Sequence, residues 1–294
     1  MGSVAVGRVA ALAAAALLVL AVTACGERSE PTGSSASLYP VTIASPAGGK
    51  PIVVRAPVKR IAVIAPSIHP ILLSLGAARQ IAGTPLAQNG DLQVSALRAL
   101  HPDLILASST TDEQLVAQAA RAAPKALVYQ APDDSIQGVE GTITSLGLIT
   151  GRPGSAARLV RGIEAKRAIV RARLKKAAGV SVFVDTGLFT TVSAQSLVGD
   201  MLREAHASSV AGDTTQVGAF DPGQLARLDP AWYLATSDSG TTLAKLRKNP
   251  KTRKLRAIRT GHFAIVDAAL LAPGPAIGDG LLLLARTLHP DAFR

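Results

Sequence analysis

The chain has 294 residues, enough for two domains of ordinary size, and 48% of them are hydrophobic while only 3% are aromatic. Its 31 lysines and arginines outnumber its 20 aspartates and glutamates, which gives a formal net charge of +11. A positive net charge of this size is typical of proteins that bind nucleic acid. The scarcity of aromatic residues and the lack of zinc-finger spacing leave no recognition element, so we predict no nucleic-acid partner.

The first 24 residues have the pattern of an export signal. Arg8 precedes an apolar run over residues 9–22, which is short for a membrane span and leads through small residues to Cys25. Cys25 is the only cysteine, so an internal disulfide or a cysteine metal cluster is excluded. The alternative is an ordinary secretory peptide with an incidental cysteine. The pattern resembles a bacterial lipoprotein signal, which implies cleavage before Cys25 and a lipid such as palmitate on it.

Residues 25–38 are polar and rich in Gly, Pro and Ser, a composition that predicts a flexible tether. Signal and tether together predict a lipid-anchored protein on the extracytoplasmic face of the cell membrane. We expect this protein to be a monomer.

From residue 39 onward, a small hairpin is followed by short apolar strands that alternate with amphipathic helices. This alternation predicts a parallel sheet covered on both faces. Strands are predicted over residues 61–65, 81–84, 103–108 and 126–130, and helices over residues 70–75, 94–100 and 111–122.

A long helix over residues 155–176 is predicted from its apolar spacing, and Gly179 follows it as a stop signal. A second alternating set comes next, with strands over residues 180–185, 232–236 and 263–266 and helices over residues 197–205, 243–255 and 279–288. The predicted fold class is therefore α/β, with two Rossmann-like lobes of parallel sheet joined by one long helix. The predicted boundaries are 39–150 for the N-terminal lobe, 151–178 for the linking helix and 179–294 for the C-terminal lobe.

Four segments in this order resemble one family, the helix-linked (class III) solute-binding proteins of ABC importers for ferric siderophores, haem and cobalamin. The segments are VKRIAVIAPS at residues 58–67, LRALHPDLIL at 97–106, SLVGDML at 196–202, and residues 273–291 from Pro-Gly-Pro to His-Pro-Asp. The resemblance implies that a small-molecule ligand is captured in the cleft between the lobes and that the lobes dock on an ABC permease. It also implies small lobe movements, because a packed helix bends less readily than a loop hinge.

The cleft edge should be formed by the loops that follow the strands. Hydroxyls and backbone amides there would hydrogen-bond a neutral or anionic ligand, and apolar side chains would contact it. Ser109 and Thr110 could instead cap a helix. The candidate ligand-binding residues are Ser67, His69, Ser109, Thr110, Tyr129, Phe189, Ser237, Asp238 and Leu270.

His69 is the only one of the five histidines at a predicted cleft edge. A metal-ion site needs three or four converging ligands, which the sequence does not supply, so we predict none. Haem needs only one or two side chains as iron ligands, so haem stays a candidate ligand, with His69 and Tyr129 as the side chains that could bind its iron. The alternative is that His69 is a solvated loop histidine. The sequence lacks a Gly-x-Ser-x-Gly nucleophile elbow and a Gly-x-Gly-x-x-Gly loop, so we do not expect an enzyme.

Two features depart from the family pattern or from ordinary composition. The resemblance implies one permease-docking glutamate on each lobe, but Pro70 and Gly223 occupy those positions. This leaves an alternative function, an envelope lipoprotein of the same fold that acts as an interaction or sensory partner without a permease.

Basic residues crowd the segments 158–176 and 245–259. They predict either solvated helix faces or contact with anionic lipid or cell-wall polymer.

Overall fold

A computed structural model describes residues 38–44, 51–212 and 219–294. The chain divides into a small unit, Met1–Pro40, and a large unit, Val41–Arg294, and the fold below belongs to the large unit. The predicted signal peptide, Cys25 and the tether up to residue 37 lie outside the described residues. Within the described part of the chain, every helix is too short or too polar to cross a membrane.

The first lobe is built on a four-stranded parallel sheet, with strand order β4-β3-β5-β6. Its strands are β3 (Ile61–Val63), β4 (Ile81–Gly83), β5 (Leu104–Ser108) and β6 (Leu127–Ala131), and an antiparallel hairpin of β1 (Val41–Ile43) and β2 (Ile52–Val54) precedes them. Its helices are α1 (His69–Leu75), α2 (Val94–Ala99), α3 (Glu113–Ala122) and α4 (Ile136–Ile149). All five residues of β5 are buried, as expected for a central parallel strand with both faces covered.

The second lobe repeats this plan, with strand order β10-β9-β7-β8 and every neighbouring pair parallel. Its strands are β7 (Val180–Asp185), β8 (Ala207–Ser209), β9 (Trp232–Thr236) and β10 (Phe263–Val266). Its helices are α6 (Leu197–Glu204), α7 (Pro222–Leu228), α8 (Leu243–Lys248), α9 (Arg256–Thr260) and α10 (Ile277–Leu288). Phe183 and Tyr233 lie in its core with ring centroids 5.2 Å apart, so the few aromatic residues are concentrated here.

One long helix, α5 (Pro153–Leu174), stands between the lobes and packs against α4 on one side and α10 on the other. Glycines allow both close contacts. A Cβ placed on Gly147 of α4 would lie 2.4 Å from the Cβ of Ala156, and one placed on Gly278 of α10 would lie 3.0 Å from the Cα of Ile163. The linking helix is therefore packed along its length.

The structure differs from the sequence prediction in five elements. Helices α4, α7 and α9 and strand β8 were not predicted, and the single basic helix predicted over residues 243–255 is wrong, because α8 ends at Lys248 and α9 begins only at Arg256. Pro250 explains the break, since the residue before a proline is driven out of the helical region and Asn249 has a ψ of 120°. Helix α4 has eight buried residues, so it lacks the polar face that makes a helix recognisable in sequence.

The basic segments also look different in the fold. Two cations of α5 form ion pairs with acids on other elements. Arg167 pairs with Glu140 and Glu204, and Lys166 pairs with Asp279 at 2.6 Å. The eight cations between residues 245 and 259 are all exposed. Their solvated and surface-binding interpretations both stay predictions.

Candidate functional site

Loops at the carboxyl edge of one sheet contact loops at the carboxyl edge of the other. All strands of a parallel sheet end at the same edge, so each lobe presents its post-strand loops together. Two contacts join these edges. The amide of Ile136, at the start of α4, donates to the Asp200 carboxylate of α6 at 2.8 Å, and Pro70 of α1 lies against Gly274 in the loop after β10.

In the first lobe, hydroxyl groups cluster where β5 ends. The Ser109 hydroxyl donates to the Asp133 carboxylate at 2.7 Å, and the hydroxyls of Ser108 and Thr110 lie 2.9 Å apart. Helix α3 is capped by Asp112, whose carboxylate accepts from the amides of Gln114 and Leu115. Ser109 and Thr110 are therefore exposed beside a cap rather than serving as one.

Asp133 is the buried carboxylate of this cluster, only 6% exposed. Burial raises its pKa, and the hydroxyls of Ser109 and Ser108 oppose that rise because they stabilise the charged form. The loop over residues 132–135 thus offers the cleft a partly desolvated acid supported by hydroxyls.

In the second lobe, the buried carboxylate of Asp185 holds two cleft loops. It accepts from the amide of Gly187 at 2.8 Å, from the Thr241 hydroxyl at 2.8 Å and from the Tyr233 hydroxyl at 2.7 Å. The loops over residues 186–196 and 237–242 are therefore fixed to one internal group. At the tip of the first loop, Leu188 is 88% exposed with a φ of +51°, a conformation that a leucine rarely adopts.

A pocket of about 200 Å³ opens at this edge, between the loops that follow β7, β9 and β10. Three polar side chains and several apolar ones surround it. The lining residues are Val184, Thr186, Val192, Val198, Thr236, Asp238, Ala268, Leu271 and Ala272.

The structure places most of the predicted site residues at the carboxyl edges. Ser67, Ser237 and Asp238 are exposed there; His69 is partly exposed at the start of α1. Leu270 lies partly buried in the short helix Ala268–Leu270.

Two predicted residues point elsewhere. Phe189 follows β7 but packs against the core of the second lobe. Tyr129 lies inside β6 rather than in a loop and is 2% exposed; burial raises its pKa, while the hydroxyls of Ser145 and Thr142 oppose the rise. Their role in ligand contact stays a prediction. Among the described residues, no group of three or more His, Cys, Asp and Glu side chains could hold a metal ion.

Comparison with known families shows what kind of protein has this architecture. The family described as periplasmic binding protein matches residues 86–270, which include the linking helix and a large part of both lobes. The chain belongs to the periplasmic binding protein family. Comparison with curated proteins gave no match.

Solved structures show the fold of this binding protein in other members. Helicobacter pylori CeuE in its nickel–histidine complex matches with a TM-score of 0.73 and 16% identity, over 86% of this chain and 89% of that one. Haemophilus influenzae MolA bound to molybdate gives 0.72 and 16%, over 83% and 90%. The haem-binding protein BhuT with two haems gives 0.66 and 20%, over 80% and 99%. The predicted α/β fold and the resemblance to helix-linked binding proteins are confirmed.

Sequence reasoning missed three polar residues at the cleft of this binding protein: Asp133, Asp185 and Thr236. Asp185 and Thr236 are the last residues of β7 and β9, and the end of a parallel strand is a signal that could have found them. Asp133 follows the end of β6 by two residues and had a similar signal, but its contact with Ser109 had none, because the two are 24 residues apart in sequence.

Proposed function

We propose that this periplasmic binding protein captures a small solute in the cleft between its lobes and delivers it to an ABC permease. The observation that carries the proposal is the facing pair of carboxyl edges, each with exposed hydroxyls and a buried carboxylate, Asp133 in one lobe and Asp185 in the other. Packing of α5 against both lobes supports capture with small lobe movements.

The ligand classes proposed are ferric siderophores, haem and cobalamin. Family membership and the fold shared with the haem-binding protein BhuT support a ligand of this type. Attachment to the extracytoplasmic face of the membrane through lipid on Cys25 is part of the same proposal, because a tethered binding protein stays near its permease.

A ligand panel tests capture directly. We expect one of the three classes to raise the unfolding temperature, since a ligand at about 100 times its Kd adds about 2.7 kcal/mol to the free energy of unfolding. Calorimetry should accompany the thermal scan. Trp232 stacks on His262 at the amino end of β9, away from the cleft, so its fluorescence is a poor reporter. No binding across the panel would reject these ligand classes.

Two matched variants locate the site. Ser67→Trp places a large side chain at the carboxyl edge of the first lobe, and we expect it to abolish binding. Ser74→Trp places the same side chain on an exposed position at the other end of α1, and binding should persist. Equal loss in both variants would count against a cleft site.

A second function is favoured by one observation. Pro70 and Gly223 stand where the resemblance implies permease-docking glutamates, which suits an envelope lipoprotein that acts as an interaction or sensory partner. Uptake of the captured ligand by cells that lack this protein separates the two. Lost uptake supports the importer subunit; unchanged uptake with intact binding supports the sensory partner.

A further inference from the structure

The 200 Å³ pocket of the second lobe has a specific hydrogen-bonding character. The Thr186 hydroxyl donates its hydrogen to the carbonyl of Thr190 at 3.1 Å, and the Thr236 hydroxyl donates to the carbonyl of Asp185 over a longer 3.5 Å. Each hydroxyl therefore offers the pocket oxygen lone pairs. Asp238 adds an acceptor-only carboxylate. All three polar side chains of the pocket accept hydrogen bonds.

Two backbone donors at the same walls already have partners. The amide of Thr186 donates to Thr190 O at 2.8 Å, and the amide of Ala268 donates to the Ser237 hydroxyl at 3.2 Å. An anion entering here would meet oxygen lone pairs and a negative charge. It would lose its hydration without gaining donors from these groups.

The loops around the pocket carry negative charge, as Asp238 does. Although the whole chain carries a net charge of +11, the described loops that follow the eight strands of the two sheets contain neither lysine nor arginine. They contain aspartates instead, which are Asp91, Asp112, Asp133, Asp134, Asp221, Asp238 and Asp267. The loops themselves therefore contribute only negative charge, while Lys245 of α8 reaches Gly240 O at 2.6 Å and Arg203 of α6 reaches Ala194 O at 3.3 Å.

We propose that this pocket binds a primary ammonium group carried on a short alkyl chain of the captured solute, with Asp238 as its counter-ion. The inference rests on the proposed function of solute capture and narrows its ligand. An ammonium has three donors, and the pocket provides Asp238, Thr186 and Thr236 as acceptors. The Asp238 carboxylate takes part in no hydrogen bond or ion pair among the described residues, so it is free for a ligand.

The rest of the pocket suits the alkyl chain. Val184 and Leu271 are buried in its floor, while Val192 and Val198 are partly exposed and leave the mouth open. Removing methylene groups from water strengthens binding by about fourfold for each group. Among the proposed ligand classes, this chemistry favours a ferric chelate or other solute with an amine arm over haem, whose propionates are anionic.

Three probes of one size test the charge requirement: butylammonium, butanol and butyrate. In the protein with labelled valine and leucine methyl groups, we expect butylammonium to shift the NMR signals of Val184, Val192, Val198 and Leu271 with a Kd in the millimolar range. Butanol should bind more weakly, and butyrate should leave these signals unchanged.

Two asparagine variants test the counter-ion. Asp238→Asn should weaken butylammonium binding about fivefold, because a charge-assisted hydrogen bond at a partly open site is lost. Asp134→Asn removes the same charge from an exposed cleft position of the first lobe, and the affinity should be unchanged. Equal effects of both variants would show that the overall negative potential of the loops, and not a direct contact with Asp238, attracts the ammonium. That result would overturn the proposal.

Other outcomes are equally decisive. Butyrate binding as tightly as butylammonium, or no shift with any probe, overturns the ammonium pocket whatever the ligand panel shows. Capture of a panel ligand by a protein that ignores butylammonium keeps the proposed function and rejects this inference. Binding of butylammonium without any captured panel ligand supports the inference and rejects the three ligand classes.

Discussion

Asp185, at the carboxyl end of β7, joins three separate parts of the second lobe through one buried carboxylate. Its partners are Gly187 in the following loop, Tyr233 in β9 and Thr241 before α8. Burial raises the pKa of the Tyr233 hydroxyl and the neighbouring Asp185 charge adds to the rise, so the tyrosine stays neutral and donates. Asp185 positions two of the three loops that bound the proposed ammonium pocket.

Removal of this carboxylate should therefore destabilise the second lobe strongly. We expect Asp185→Ala to lower the free energy of unfolding by about 3 kcal/mol, because the buried hydroxyl of Tyr233 and the partly buried hydroxyl of Thr241 lose their acceptor. Tyr233→Phe removes a single hydrogen bond and should lower it by about 1 kcal/mol. Urea unfolding of both variants measures the difference. Similar losses in the two would mean that the carboxylate does little beyond holding Tyr233.

At the scale of elements, the two sides of α5 depend on glycines that let helices approach closely. Gly147 of α4 faces Ala156, and Arg152 O lies 3.3 Å from where a Cβ on Gly147 would be placed. Gly141, two turns earlier in α4, has no atom within 4 Å of such a Cβ. The same helix thus contains one glycine required by packing and one that is not.

Alanine at these two positions should change stability in opposite directions. Gly147→Ala should lower the free energy of unfolding by about 1–3 kcal/mol through overpacking of α4 against α5. Gly141→Ala should raise it by about 0.5–1 kcal/mol, because alanine has the better helix propensity and meets no obstacle. Chemical denaturation checks both. Stabilisation by Gly147→Ala would show that α4 and α5 can move apart freely.

Much of the fold was predictable because its elements have clear periods. Strand β9 and strand β10 were predicted to the residue, and the end of α5 was misplaced by only two residues. Helix α4 was missed because it is buried on most sides. The prediction that places Tyr129 at the cleft was made without knowledge of this helix. Tyr129 is the last but one residue of a predicted strand, and it was assigned to the cleft because nothing in the sequence indicated that Ser145 and Thr142 of α4 lie beside its hydroxyl.

The candidate site was predictable only in part. Strand ends identify Ser109, Ser237 and Asp238 from local pattern alone. The hydrogen bond between Ser109 and Asp133 and the direction in which Thr186 donates depend on loop geometry, which no period encodes. The preference for a neutral or anionic ligand came from counting hydroxyls, whereas the structure shows where their hydrogens go.

At the scale of the molecule, Arg167 of α5 joins the two lobes. Its guanidinium contacts Glu140 of α4 at 2.9 Å, Glu164 of α5 at 2.7 Å and Glu204 of α6. The hydrogen bond that Arg167 donates to Glu204 is the main reason that the pKa of Arg167 is raised, so the arginine stays charged. Three carboxylates thus share one cation between the lobes.

Glu140 is the least compensated of the three acids. It is 8% exposed, and its Oε1 has no hydrogen-bond partner among the described residues. Burial raises the pKa of Glu140 to about 7, with Glu164 adding to the rise and Arg167 opposing it. At neutral pH this carboxyl is therefore close to half protonated.

The shift makes the stability of the whole molecule depend on pH. The ordinary pKa of this group is 4.5, so above that value the unfolded chain releases a proton that the folded protein retains until about pH 7. The free energy of unfolding therefore falls as the pH rises. Between about pH 6 and pH 8 we expect the wild type to lose about 1 kcal/mol from Glu140 alone.

Urea unfolding of Glu140→Gln isolates this contribution, because glutamine cannot titrate and resembles the protonated acid. The loss of stability across that interval should shrink by about 1 kcal/mol relative to the wild type. Glu164→Gln removes the neighbouring charge that adds to the rise of the Glu140 pKa, so the loss of stability across the interval should shrink there too, but by less than in Glu140→Gln. Parallel pH profiles for wild type and Glu140→Gln would contradict a proton held by Glu140. They would leave Arg167 with three ionised acids as the link between the lobes.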